Sequence, residues 1–417
     1  MPKAPDLLPL SETWYRRLLF LSVGIGVSGG LAAVVYTKFT NFGTELFFDD
    51  PTSDPFSGRW WWVPLLSGGA IVVEALRRRA GVSRTVPGAV AYARKGWVEP
   101  STAVPLFAIS ALSLFVGASL GPSFGIVISG GGLGSWLAQR SSVSDGEAEN
   151  EYAMTGMAGG LSAVFAAPLF GTLMASELGP IPKSRYVASF IPMFIASIVG
   201  FVVFTELSGS GLFGAYEMPG YRYENIHLLY GLFLGGFAVV VLLVQAVVGN
   251  AVRWLSGKIE HRWFRAALMG AVVGLAAFAL PLTATGGSSQ LAFETSNFSE
   301  LSTGLLIAVL LVKIIAFVAS QEAGYLGGPV FPTLFIGGTA GLVVHLIFPD
   351  IPAPLAVAAL LAALPGATIA APVSFILLAA GVVVVGVAGL PPIGIAVVTA
   401  HLVVWRLEIF RQTRDSM

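Results

Sequence analysis

Two glycine–proline segments are the parts of the sequence whose residue types and spacing point to chemistry. They run from Gly121 to Gly134 and from Gly328 to Gly341 and, aligned without a gap, are identical at six of 14 positions. A proline fits the first turn of a helix but cannot continue a helix that precedes it, so the segments predict helix starts near 122–125 and 329–332. A helix start presents about four unpaired N–H groups and about half a positive charge. In apolar surroundings, each start would be an anion site without a formal charge.

A second matched pair shows that the likeness is part of an internal repeat. Ala166–Leu169 resembles Ala370–Val373 at nearly the same offset as the glycine segments. The chain is therefore predicted to consist of a first membrane repeat at residues 16–205 and a second at 226–405. Residues 206–225 would link them, and residues 406–417 would form a short cytoplasmic tail. Such repeats are typical of transporters and channels with a central site. Whether the halves are inverted or parallel depends on an odd or even number of spans, which these residues leave open.

Few ionisable residues lie in the apolar stretches, and each is a functional candidate by default. They are Glu177, Lys313 and Glu322. For Glu177 and Lys313 a structural ion pair or a field-setting role is the simpler interpretation, whereas Glu322 is the one carboxylate that could carry a proton. The chain has no Cys and no hydrolase or nucleotide-binding motif. We therefore expect no enzymatic activity, no metal and no cofactor.

The composition identifies the elements that must position these residues. Hydrophobic residues make up 55% of the chain and charged residues 11%, with equal numbers of acidic and basic groups. A soluble domain carries about 25% charged residues, and the mean hydropathy here is +0.80. These values exclude a soluble enzyme, a nucleic-acid binder and a disordered scaffold. The chain is predicted to be an all-α integral membrane protein.

The uncharged stretches predict many short helices. Stretches such as 101–139 and 351–405 exceed the roughly 20 residues that one crossing needs, and Gly and Pro interrupt them. They indicate about 12 to 16 short or discontinuous helical pieces. Basic clusters at Arg77–Arg79 and near both ends of the chain predict that both termini are cytoplasmic, in a multi-pass protein of the cell membrane.

The motifs resemble those of the CLC family of chloride channels and chloride/proton antiporters, whose anion path is lined by segments of the forms G-S-G-x-P, G-x-E-x-P and G-x-F-x-P. The second form resembles Gly121-Pro122-Ser123-Phe124-Gly125, and the third resembles Gly328-Pro329-Val330-Phe331-Pro332. The first resembles Ser83-Arg84-Thr85-Val86-Pro87. The resemblance covers about residues 16 to 405. It implies an inverted repeat of short, tilted helices and a homodimer with one pore in each subunit.

Two departures from the family pattern carry the functional prediction. Ser123 stands at the position of the family's gating glutamate, and Leu178 at that of the antiporters' internal proton-transfer glutamate. Neither side chain can carry a proton near neutral pH. Arg84 stands where the family has a serine, either as a pore residue or as one more cytoplasmic basic residue. The family's central pore tyrosine has no evident counterpart, and Tyr325 and Tyr230 are candidates.

The resulting prediction is passive transport of chloride or a similar small monovalent anion by a channel or uniporter. Its anion-binding residues would be the second and third segments together with Arg84 and Thr85. The first alternative is an anion/proton antiporter that uses a non-standard carboxylate such as Glu322, or another anion such as fluoride. The second is a scaffold of the same fold that no longer transports. The expected partners are the anion, the lipid bilayer and a second copy of the chain, without nucleic acid.

Overall fold

The computed structural model of the chain describes residues 8–48, 56–83, 86–141, 146–209, 212 and 214–407. Within these residues the secondary structure is helical, and the one isolated β-bridge joins Gly121 to Gly328. The sixteen α-helices, in chain order, are α1 Thr13–Phe48, α2 Trp62–Arg79, α3 Ala89–Lys95, α4 Pro100–Phe115, α5 Ser123–Arg140, α6 Gly146–Val164, α7 Phe170–Leu178, α8 Tyr186–Ser208, α9 His227–Gly257, α10 Arg262–Ala279, α11 Ser288–Asn297, α12 Thr303–Ala323, α13 Val330–Ile347, α14 Ala353–Thr368, α15 Pro372–Val382 and α16 Leu390–Arg406. The all-α prediction is confirmed.

Seven helical segments of the described chain are long and apolar enough to cross a membrane. They contain α1, α8, α9, α10, α12, α13 and α16, whereas α4, α14 and α15 are apolar but shorter. Short helices that end inside a bundle are tolerated where protein, rather than lipid, surrounds their ends. The chain is a multi-pass membrane protein, as its composition predicts.

The helices form two compact units. The first unit comprises Met1–Lys38, Pro87–Ala108 and Ser123–Leu212, and in it α6 packs against α5, α7 and α8. The second comprises Phe39–Val86, Ile109–Pro122 and Phe213–Met417, and in it α14 packs against α9, α13, α15 and α16. Each unit draws segments from several parts of the chain. The repeat boundaries at 205 and 226 stay a prediction.

The internal repeat is visible in hydrogen bonds of the second unit. Gly121 and Gly328 exchange two backbone hydrogen bonds, of 2.8 Å from the Gly121 N–H and 2.7 Å from the Gly328 N–H. Alongside them, the Ser119 N–H donates to the Ser320 hydroxyl at 3.0 Å, and the Leu326 N–H donates to the Ser113 hydroxyl at 3.1 Å. In the alignment of the two repeats, Ser119 corresponds to Leu326 and Ser113 corresponds to Ser320. Each of these two bonds is therefore the counterpart of the other, as a two-fold axis between the repeats would require. This reciprocity agrees with an inverted repeat.

Left-handed alanines mark the second matched pair of the repeat. Ala166 has φ 46° and Ala370 has φ 65°, and each is followed two residues later by a proline. The left-handed region costs a non-glycine residue about 1–2 kcal/mol. A left-handed alanine therefore precedes both α7 and α15. Tertiary packing imposes the same bend on the two matching sequences.

Repeated glycines bring neighbouring helices into backbone contact within each unit. In the first unit, a Cβ on Gly130 would collide with the carbonyl oxygen of Gly156 on α6. In the second, a Cβ on Gly337 would lie 2.5 Å from the Leu360 carbonyl oxygen of α14, and one on Gly341 would lie 2.5 Å from the Val357 Cα. Small residues three and four apart on α5 and α13 therefore allow a neighbouring helix to approach at backbone distance.

Gly130→Ala should lower the stability of the protein by about 1–3 kcal/mol, because the added methyl group has no room between α5 and α6. Thermal unfolding of the purified protein in detergent measures the change. Gly24→Ala is the matched control, since Gly24 lies in α1 with no heavy atom within 4 Å of its ideal Cβ. Equal unfolding temperatures for the two variants would contradict the packing described here.

Candidate anion-binding site

The start of α5 is a buried helix terminus that carries a hydroxyl group. Ser123 is the first residue of the helix and is 1% exposed, and its Oγ has no hydrogen-bond partner. The following residues, Phe124 and Gly125, are also buried. Gly125 lies against the ring of Tyr36, which an ideal Cβ on the glycine would approach to 2.5 Å. A small anion at this helix start would meet first-turn N–H groups and the Ser123 hydroxyl, and no carboxylate from these residues.

The start of α13 has a similar construction. Val330 is 1% exposed, and its preceding residue, Pro329, makes no side-chain cap on the helix. Pro332 has no N–H group, and the N–H of Thr333 donates to the Pro329 carbonyl at 3.1 Å. Val330 and Phe331 carry the remaining N–H groups of the first turn. Pro332, predicted as an anion-binding residue, therefore shapes the turn but cannot donate to an anion.

The bridge between Gly121 and Gly328 lies two residues before each of these helix starts in the chain. An ideal Cβ on Gly121 would lie 2.9 Å from the Phe331 Cβ and 3.3 Å from the Gly328 carbonyl oxygen. Any larger residue at 121 would therefore separate the two paired backbones. This requirement explains why the segment that begins at residue 121 opens with glycine.

Of the first predicted segment, residues 83–87, the structure describes Ser83, Val86 and Pro87. Arg84 and Thr85 lie outside the described residues, so their predicted role in the pore stays a prediction. Arg77, which the sequence places in a basic cytoplasmic cluster, is buried. Its guanidinium donates to the carbonyl oxygens of Gly324 at 2.7 Å and Ser83 at 2.5 Å, and so ties the start of this segment to the end of α12.

Lys313 is fully buried in the second unit, where it organises the turn before α11. Its ammonium group donates to the carbonyl oxygens of Thr283 at 3.0 Å, Ala284 at 3.5 Å and Thr285 at 2.7 Å. It also lies 4.9 Å from the centre of the Phe335 ring on α13. This arrangement agrees with the structural or field-setting role predicted for Lys313.

Two residues near these elements, Glu294 and Tyr36, are not among those predicted from the sequence. Glu294 on α11 is fully buried and accepts a hydrogen bond of 2.6 Å from the Thr339 hydroxyl. It belongs to a polar stretch that resembles a loop, so nothing in its neighbours marks it as buried. Tyr36 lies in the apolar helix α1 beside Gly125, and no local pattern distinguishes it from a core aromatic residue.

The other predicted candidates have structural partners or lie elsewhere. The hydroxyl of Tyr325 donates to the Leu66 carbonyl at 2.5 Å, and Tyr230 lines a separate polar cavity of about 390 Å³. Glu322 accepts a hydrogen bond of 2.6 Å from Ser256 and is close enough to Arg253 for their charges to attract. Leu178 is buried at the end of α7.

The fold is that of an all-helical, multi-pass membrane protein with buried helix starts at Ser123 and Val330. A family model described as "Voltage gated chloride channel" matches residues 68–404. The match covers more than half of the chain, and the chain belongs to this family.

Relatives of known name agree with this assignment. The H(+)/Cl(-) exchange transporter ClcA of Vibrio cholerae is 25% identical over 386 residues, which cover 87% of this chain and 81% of the relative. The proteins of the same name from two Vibrio vulnificus strains are 28% identical over 260 residues, which cover 60% of this chain. The match spans only 55% of the length of these two relatives.

Solved structures show the same fold. A protein described as a slow cyanobacterial Cl-/H+ antiporter superposes with a TM-score of 0.79 and 18% identity, covering 96% of this chain and 97% of that chain. A CLC-type fluoride/proton antiporter superposes with a TM-score of 0.78 and 19% identity, covering 95% and 97%. These likenesses establish the inverted-repeat architecture that the sequence resemblance implies.

Lys313→Met should destabilise the protein by at least about 2 kcal/mol, because three carbonyl oxygens, two of them buried, lose their donor. Thermal unfolding in detergent measures the loss. The matched control is Lys258→Met, which removes an exposed ammonium that lies over the Trp254 ring. If both variants unfold at the wild-type temperature, Lys313 does not hold the turn before α11.

Proposed function

We propose that the protein moves chloride or a similar small monovalent anion passively across the membrane, as a channel or uniporter. The anion would pass the first turns of α5 and α13, where backbone N–H groups bind it without a formal positive charge. Binding of this kind is strong enough to replace part of the hydration shell, and it holds no fixed countercharge that would trap the anion.

The observation that carries this proposal is the buried Ser123 hydroxyl without a partner. A carboxylate at this position would compete with the anion for the same N–H groups and could also carry a proton. A serine hydroxyl remains neutral at physiological pH and can donate a hydrogen bond to the anion. With apolar Leu178 at the second proton-transfer position, the usual proton route of the family has no carrier.

A second candidate is proton-coupled exchange of chloride or of another anion, including fluoride. The names of the relatives and structural neighbours favour this candidate over passive transport, since they describe chloride/proton and fluoride/proton exchangers. Exchange without a carboxylate at position 123 requires another proton-binding group in the protein. A scaffold that has lost transport is the remaining possibility, and flux measurements distinguish it from both candidates.

The proposal also places the protein in the cell membrane as a homodimer with cytoplasmic termini. The family resemblance supports the homodimer, and the positions of the basic residues support the orientation. Each subunit would conduct through its own pore. No cofactor is needed, because binding uses the backbone and the gradient supplies the energy.

The deciding experiment is chloride efflux from proteoliposomes, with a potassium ionophore to balance charge and with external pH recorded. Passive transport predicts efflux that needs only the potassium shunt and moves no protons. Proton uptake against its gradient, driven by chloride, would establish exchange and contradict passive transport. No efflux above that of protein-free liposomes would leave only the scaffold.

Ser123→Glu should slow chloride efflux at neutral pH, because the tethered carboxylate competes with the anion for the N–H groups of α5. Acidification should restore the flux, since protonation removes the negative charge. The matched control is Ser123→Gln, because glutamine has nearly the same size as glutamate but no charge. The flux of this variant should vary with pH no more than the flux of the wild type. Identical pH profiles for the Glu and Gln variants would show that position 123 does not face the anion.

A further inference from the structure

Glu294 is a buried carboxyl group that nothing in the proposed anion path uses. Its side chain is fully buried, although α11 is only ten residues long and lies between polar turns. One oxygen, Oε2, accepts a hydrogen bond of 2.6 Å from the Thr339 hydroxyl. The other, Oε1, is also buried and has no hydrogen-bond partner.

This environment is a poor one for a carboxylate ion. A buried ionised carboxylate needs several hydrogen bonds or a directly paired cation, because it has lost its hydration shell. Glu294 receives one hydrogen bond, and the Lys313 ammonium is directed to the carbonyl oxygens of Thr283, Ala284 and Thr285 instead. The neutral, protonated carboxyl group suits this site better than the charged one.

Two titratable groups face Glu294 from the surrounding elements. Lys313 of α12 is close enough for its charge to attract a carboxylate, and Tyr216, in the segment before α9, is close enough to interact with it. Thr339 of α13 is polar but does not titrate. Burial opposes a charge on Glu294, whereas Lys313 and the Thr339 hydrogen bond favour it, and Tyr216 stays a neutral phenol. Opposing effects of this kind are expected at a group that can gain and lose a proton.

The position of Glu294 connects this balance to the anion. Thr339 lies nine residues after Val330 on the same helix, or about 13 Å along its axis at about 1.5 Å per residue. When Glu294 is protonated, the Lys313 ammonium leaves a net positive charge beside α13. When Glu294 is ionised, the pair is neutral and that attraction is lost. Charges at this distance still interact in a medium of low dielectric constant.

We propose that Glu294 is a proton-binding site whose charge state sets the rate of anion transport: the protonated form favours movement of the anion past α13, and ionisation slows it. The proposal rests on anion transport by this chain. It assigns to Glu294, rather than Glu322, the role of the non-standard proton-binding carboxylate.

The test is chloride efflux from proteoliposomes with equal pH on both sides, measured from acidic to mildly alkaline pH. Wild-type flux should fall by up to about tenfold per pH unit above the pKa of the carboxyl group, because its protonated fraction falls by that factor. Glu294→Gln should hold the acid-level flux at every pH, since glutamine is neutral and can still accept the Thr339 hydrogen bond. Thr339→Val should shift the fall in flux to more alkaline pH, because the ionised form loses its donor.

Two matched carboxyl variants serve as comparisons. Glu300→Gln removes an exposed carboxylate six residues further along the chain and should keep the wild-type profile. Glu322→Gln tests the rival carboxylate. Wild-type flux without pH dependence, or an unchanged profile in Glu294→Gln, would overturn the proposal. Loss of pH dependence in Glu322→Gln alone would transfer the site to Glu322 and overturn it as well.

Infrared difference spectroscopy gives a readout that does not depend on transport. The spectrum of wild type minus Glu294→Gln should contain the C=O band of a protonated carboxyl group, and the band should disappear as the pH is raised. If the protein moves no anion, the proposed function fails, while a titrating band would still establish the proton-binding site. A missing band, or one that does not change with pH, would overturn the site whatever the flux.

Discussion

Inside a membrane, every backbone N–H and C=O group needs a partner from the protein, and this requirement dominates the structure. Most of the chain meets it with helices. Where the two glycine–proline segments interrupt the helices, Gly121 and Gly328 pair with each other, and Ser113 and Ser320 accept the neighbouring N–H groups of Leu326 and Ser119. The N–H groups at the first turns of α5 and α13 follow directly in the chain. In the proposed function, these are the groups that a small anion would satisfy, and the anion site would follow from the way the helices are interrupted.

Small residues make this arrangement possible. Glycines at matched positions of α5 and α13 allow α6 and α14 to approach at backbone distance, and the glycine at 121 leaves room for its bridge with Gly328. Lys313 holds the turn before α11, and Arg77 holds the end of α12. Both cations bind carbonyl oxygens. Buried positive charge therefore fixes backbone that has no regular hydrogen bonds, whereas the proposed function assigns anion binding to neutral backbone dipoles.

The sequence predicts the features that have a local cause. Gly-Pro pairs specify where α5 and α13 begin, composition specifies a helical membrane protein, and the repeat follows from two matched motifs. Other features depend on contacts far apart in the chain. The two packing units interleave distant segments, Glu294 becomes buried only because α11 lies against α13, and Tyr36 meets Gly125 from a different helix. The roles of Ser123 and Leu178 depend on comparison with a family pattern, because a serine or leucine has no distinctive chemistry of its own.

The central claim is that backbone dipoles at two helix starts bind the anion. Anomalous X-ray diffraction from crystals grown or soaked in bromide tests it most directly, since bromide substitutes for chloride and its position can be identified from its scattering. The account predicts anomalous density within hydrogen-bonding reach of the first-turn N–H groups of α5, beside the Ser123 hydroxyl, and of α13 at Val330 and Phe331. Bromide bound only to exposed arginine or lysine side chains, with none at either helix start, would contradict it.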